Sequence, residues 1–165
     1  WKASRPMSSS AGGFVPGSGA GALILEDLDF AKARNAPIYA EIIGACNNSG
    51  GQRNGGTMTA PSAEGVIRCI REAIQEAGIE SKKIDLICGH LTGTTVDKME
   101  IQNWVHALEL HKQDFPMVNS LKSMTGHCLS AAGSIEMVAA VLQLKHGFVH
   151  PNINLEDPNP EIVEM

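Results

Sequence analysis

Two stretches of the chain gather residue types able to do acid–base or electrostatic chemistry. In Gly89-His90-Leu91-Thr92-Gly93-Thr94-Thr95-Val96-Asp97, a histidine leads into a threonine-rich segment ahead of a helical pattern. In Asn119-Ser120-Leu121-Lys122-Ser123-Met124-Thr125-Gly126-His127, a lysine and a histidine stand five residues apart before an apolar stretch. Both lie where a predicted strand ends or a helix begins, which is where sites form in open α/β sheets. A lysine entering a core is costly unless paired, and Glu100 is a sensible partner. Each stretch also has a plain structural reading. Asp97 as a helix N-cap with Glu100 at the third helical position is a carboxylate variant of a capping box. A solvated lysine or a satisfied core histidine needs no chemistry, although the pair beside a buried helix fits that reading less well than either residue alone. A third stretch, Phe14-Val15-Pro16-Gly17-Ser18-Gly19-Ala20-Gly21, superficially resembles a dinucleotide fingerprint. That fingerprint requires strand, glycines, then helix. Here the glycines precede a predicted strand, so they are read as tight backbone packing beneath a site.

The elements that must position these residues follow from the apolar pattern. Ala22–Glu26 and Ile38–Gly44 read as buried strands, separated by a short helix over 28–35 with Asp27 as cap. Val66, Ile67, Ile70, Ala73, Ile74 and Ala77 recur at helical spacing between an N-cap at Ser62 and a stop at Gly78. Ile84–Gly89 is a third strand and Met117–Asn119 a fourth, with a helix opening at Asp97 between them. Residues 131–146 form a helix apolar nearly all round, a pattern that predicts burial on every side, closed by Gly147. The order predicts a mixed sheet with helices on both faces.

Composition limits the function classes. The 165 residues carry a formal net charge of −5, and aromatics are only 4%. With a pI near 5.6, neither a broad basic nucleic-acid face nor a base-stacking platform is expected. No stretch approaches the roughly 20 apolar residues of a membrane helix. Cys46, Cys69, Cys88 and Cys128 match no zinc pattern and no redox pair in sequence, so no metal is expected, and reduced cytosolic thiols are the default. No signal peptide is visible, the first residue is Trp1, and the chain reads as a piece of a longer protein.

With these residues on the page, the chain resembles the C-terminal half of the β-ketoacyl-[acyl carrier protein] synthases, the condensing enzymes of fatty-acid elongation. The resemblance runs through Ala3-Ser4-Arg5-Pro6, Gly13-Phe14-Val15 and the glycines after it. It continues in Ile38-Tyr39-Ala40-Glu41-Ile42, Met58-Thr59-Ala60-Pro61, Ala131-Ala132-Gly133 and Pro151-Asn152-Ile153-Asn154-Leu155. The Lys122–His127 run is its most specific part; thiolases, which carry Gly-His-Pro there, fit worse.

The resemblance implies a thiolase-like fold, with this chain as the C-terminal half of an αβαβα sandwich lacking the N-terminal half and the final strands. It implies that His90 and His127 are the two catalytic histidines, Lys122 the lysine of the site and Glu100 the glutamate paired with it. Thr92, Thr94 and Thr59 are similar to contacts of the phosphopantetheine arm. That arm belongs to the acyl carrier protein partner, so no cofactor of the chain's own is expected. A cytoplasmic homodimer is implied, with no nucleic-acid or membrane partner. The implied reaction is decarboxylative condensation of malonyl-carrier with an acyl-enzyme thioester, in which two imidazoles stabilise the enolate. The nucleophilic cysteine lies in the other half, so this piece alone is expected to be inactive; Cys88 and Cys128 are read as small core residues.

The chain departs from the pattern in its His-Leu-Thr-Gly-Thr-Thr loop, one residue short before Asp97, in Ser8–Gly12, in Ser18 and in the Asn/Gly-rich loop 47–56. A non-condensing partner subunit of the chain-length-factor type is the alternative. A binding module for an acidic carrier, using Lys32, Arg34, Arg68, Arg71, Lys82 and Lys83, is a third reading.

Overall fold

The computed structural model describes residues 3–49 and 61–165. Thr59 and most of the Asn/Gly-rich loop lie outside the described residues. The centre is a parallel pair of strands, β1 (Leu86–Cys88) and β2 (Met117–Asn119), in the register Leu86↔Met117, Ile87↔Val118, Cys88↔Asn119. Parallel strands require a crossover, and here it is made by α3 (Asp97–Leu108). Helix α2 (Ala63–Ala77) packs along α3, its apolar positions turned towards β1 and Trp104. A small core of Met7, Leu91, Ile101 and Val105 lies beneath, joined by Phe115, Val118, Leu155, Ile162 and Met165. Thus the N-terminal segment, α3 and the C-terminal α6 (Pro160–Val163) share one apolar centre.

Local signals act where expected. Asp27 caps α1 (Leu28–Ala33), accepting from the Phe30 N–H at 3.0 Å. Left-handed Gly78 and Gly147 end α2 and α5 (Ala132–His146). Asp97 differs: Val96 is the cap, and Asp97 enters the first turn of α3, where it is drawn into the preceding loop.

Two predicted strands are absent. Ala22–Glu26 and Ile38–Gly44 are irregular, and no ladder partner lies beside them among the described residues. A strand is completed by its neighbour's backbone groups. Without one, these segments keep their apolar side chains in solvent, Ile24 at 96% exposure and Leu25 at 73%. The same physics corrects the prediction for α5. Its sequence is apolar nearly all round, yet only Ala132 and Gln143 are buried, and Leu144 is 69% exposed.

Candidate functional site

Parallel pairing places the C-terminal ends of β1 and β2 side by side, with the Gly89 N–H donating to the Asn119 carbonyl at 2.8 Å. The loop carrying His90 and the loop carrying Lys122 therefore leave from one point. A buried polar web fixes them there. The Ser120 hydroxyl donates to the Leu91 carbonyl at 2.8 Å, and Asn119 donates to Gln143 of α5 at 2.8 Å. Asn152 reaches back to hold both the Ser120 N–H and the Val118 carbonyl. Behind His90, the Glu100 carboxylate accepts from the His90 N–H at 2.7 Å and the Leu91 N–H at 2.8 Å. Asp97 accepts from the backbone N–H groups of Met7, Thr92, Gly93 and Thr94. Leu91 is fully buried in the core below the loop.

His127 is positioned from the opposite side. Short α4 (Lys122–Thr125) ends at Gly126, whose φ of +69° only glycine adopts freely, and a Cβ there would meet the Val15 carbonyl oxygen at 2.8 Å. The chain then pairs with the glycine-rich segment: the His127 N–H donates to Val15 at 2.7 Å, and the Gly17 N–H donates to His127 at 2.9 Å. Side chains at Gly17, Gly19 or Gly21 would collide with Thr125, Ile135 or Ser134. The reading of this stretch as close packing beneath a site therefore holds.

The imidazoles of His90 and His127 come together, ring centres 5.3 Å apart and nearly perpendicular, with Phe14 edge-on to His127 at 5.5 Å. The Leu129 N–H donates to His127 Nδ1 at 3.0 Å, so the neutral ring carries its proton on Nε2. Desolvation, and then the Lys122 charge, push both histidines below their usual value. Burial pushes Glu100 up to about 7, against the lowering effect of its two backbone donors. Thr92 and Thr94 also meet, with hydroxyl oxygens 3.0 Å apart, and Thr92 is buried.

One expected pairing is corrected. Lys122, 2% exposed, forms its ion pair with Glu136 of α5, whereas both oxygens of Glu100 are taken by backbone N–H groups. The pairing with Glu100 is what the resemblance implies. The sequence does carry a signal for Glu136, the single acidic residue of a largely apolar helix. A carboxylate there needs a cation. Asp97 was likewise read only as a cap. Among the cysteines, Cys128 is buried as expected, while Cys88 is exposed in this chain.

The model of the β-ketoacyl synthase C-terminal domain matches residues 39–156. The chain belongs to that family. It is 45% identical over 159 residues to the chloroplastic 3-oxoacyl-[acyl-carrier-protein] synthase II of Arabidopsis thaliana, covering 96% of this chain and 29% of that protein. It is 41% identical to 3-oxoacyl-[acyl-carrier-protein] synthase 2 of Coxiella burnetii, covering 96% of this chain and 38% of that one. This synthase-family chain thus spans well under half the length of these curated relatives.

Among solved structures it is similar to a type II PKS ketosynthase in complex with its acyl-carrier protein, at TM-score 0.85 and 38% identity, covering 98% of this chain and 39% of that one. It also resembles the module 6 ketosynthase of the Bacillus subtilis 168 bacillaene synthase, at TM-score 0.87 and 34% identity, covering 94% of this chain and 28% of that one. The fold is accordingly thiolase-like α/β. Among the described residues, no helix is long and apolar enough to cross a membrane.

Proposed function

We propose that this chain supplies the histidine and lysine part of a condensing acyltransferase site, as the C-terminal half of a β-ketoacyl-[acyl carrier protein] synthase in fatty-acid elongation. The observation that carries the reading is the pair of facing imidazoles at the joined ends of β1 and β2, beside a buried Lys122–Glu136 pair. In this reading, a cysteine elsewhere in the full protein holds the acyl group as a thioester. Malonyl-carrier loses CO2, and the electron pair of the broken C–C bond forms an enolate. Its carbon attacks the acyl thioester carbonyl, and the cysteine leaves as thiolate.

The residues of this chain act on the oxygen that becomes negative. His127, protonated on Nε2, donates to it, and His90 contributes from the adjoining wall. Lys122 helps hold both rings in the neutral form and adds positive potential; its pairing with Glu136 makes its burial tolerable. Fixed donors aimed at developing charge act without reorganising, and each is worth about 10²–10³ in rate. Thr92, Thr94 and Thr59 contact the phosphopantetheine arm of an acyl carrier protein, and the full protein works as a cytoplasmic homodimer. Glu100 and Asp97 position the His90 loop through its backbone.

The test is ketoacyl product formation from acyl- and malonyl-carrier by the full-length natural chain. Replacing His90 or His127 by alanine lowers turnover about 10²–10³-fold with an unchanged melting temperature. Unchanged turnover in both variants would refute the assignment. A full-length chain with no cysteine at the acyl position would instead establish the non-condensing partner reading.

A further inference from the structure

Away from the histidines, the segment after the absent second strand is fastened onto α2. Gly44 lies so close to the helix that a Cβ there would stand 2.4 Å from the Ala73 carbonyl oxygen. The Ala45 N–H donates to Glu76 at 2.6 Å, and Asn48 donates to the Gly65 carbonyl at 2.8 Å. Between these ties lie two half-buried cysteines. The Cys69 thiol donates to the Cys46 carbonyl at 3.3 Å, and the Cys46 thiol donates to Glu72 at 3.1 Å. Cys69 and Glu72 share a face of α2 at i, i+3 spacing, so both partners of Cys46 fall on one side of that helix.

We infer that Cys46 and Cys69 form a reversible disulfide on exposure to a hydroperoxide, a modification that locks residues 44–48 onto α2. The roles differ between the two sulfurs. Glu72 accepts from the Cys46 thiol and, as the largest of several causes, pushes it up to about 12, so Cys46 stays protonated. Cys69, whose thiol donates to a neutral carbonyl rather than to a carboxylate, is the first to react. Its sulfur attacks the peroxide, the O–O bond breaks, and Cys69 becomes a sulfenic acid as water or an alcohol is released. The Cys46 sulfur then attacks the Cys69 sulfur, forming S–S and breaking S–O. The Cys46 proton passes to Glu72 and on to the departing hydroxide, which leaves as water. The pair of thiols is oxidised by two electrons, and the peroxide is reduced.

The experiment treats the folded full-length chain with hydrogen peroxide, alkylates the remaining thiols and maps tryptic peptides. Arg53 and Arg68 lie between the two cysteines, so trypsin separates them unless they are bonded. The expected product is a joined Cys46–Cys69 peptide pair, lighter by two hydrogens and reversed by dithiothreitol. Cys46→Ser leaves a Cys69 sulfenic acid that a 1,3-dione traps. Free alkylated Cys46 and Cys69 at peroxide doses that oxidise exposed Cys88 would overturn the inference. So would a bridge that joins either of them to Cys88 or Cys128.

Discussion

Around the two histidines, side chains from α3, α5 and the loops tie the backbone down; along residues 22–43 and the outer face of α5, apolar side chains stand in solvent. The first region carries buried Asn119, Ser120, Lys122, Asp97 and Gln143 and meets their needs mostly from within the chain. The second exposes Ile24, Leu25, Ile42, Ile43, Met137 and Leu144. The difference separates two kinds of incompleteness. A site held by polar contacts is built as soon as its own loops close. An apolar face is finished only when something covers it, and nothing among the described residues removes this one from water.

If that contrast is right, the largest effect belongs to the uncovered face. The recombinant 165-residue chain alone is expected to self-associate, bind an apolar dye strongly and melt without a cooperative transition. A monodisperse, cooperatively melting monomer would break the comparison at once. Next comes the buried pair. Lys122→Met in the full-length protein strands Glu136 and costs about 3–5 kcal/mol. The double change with Glu136→Leu recovers much of that stability, since apolar packing replaces the pair, but does not restore turnover; urea unfolding measures the stabilities and ketoacyl product formation the turnover.

Asp97→Ala leaves four backbone N–H groups without their acceptor and is expected to cost about 1–3 kcal/mol in the same assay. Glu100 adds a pH dependence, read as a slope rather than a loss of the fold. Its folded value of about 7 lies above the ordinary carboxylate value of 4.5. Between those two values the folded state holds the proton more tightly than the unfolded state. The contribution of this group is therefore fully present below pH 4.5 and is lost as pH rises through about 7. Glu100→Gln removes that slope from a pH series of melting temperatures. The two histidines, shifted downward, contribute in the opposite sense and leave their own slope in both proteins.

The site was legible in sequence to the extent that chemistry and chain position coincide. His90, Lys122 and His127 each follow a strand end, and the parallel register brings them together. Glycines 17, 19 and 21 were readable as close packing because their order excluded a nucleotide loop. Glu136 was missed because its partner is fourteen residues earlier, across a turn that no helical periodicity records. The strands at 22–26 and 38–44 were over-read because apolar runs report a wish for burial, not the presence of a neighbour. The same limit applies to α5, whose pattern states what must cover it while saying nothing of where the cover comes from.

The most direct test of the central claim is CO2 release from malonyl-carrier by the full-length chain, recorded separately from condensation, because that half-reaction calls on the oxyanion donors assigned to this chain. The account predicts that His127→Ala lowers release about 10²–10³-fold while the protein stays folded, and that the unaltered protein keeps its rate just below about pH 6.5, where an ordinary histidine would be mostly charged. Release at the full rate without the His127 imidazole would contradict it.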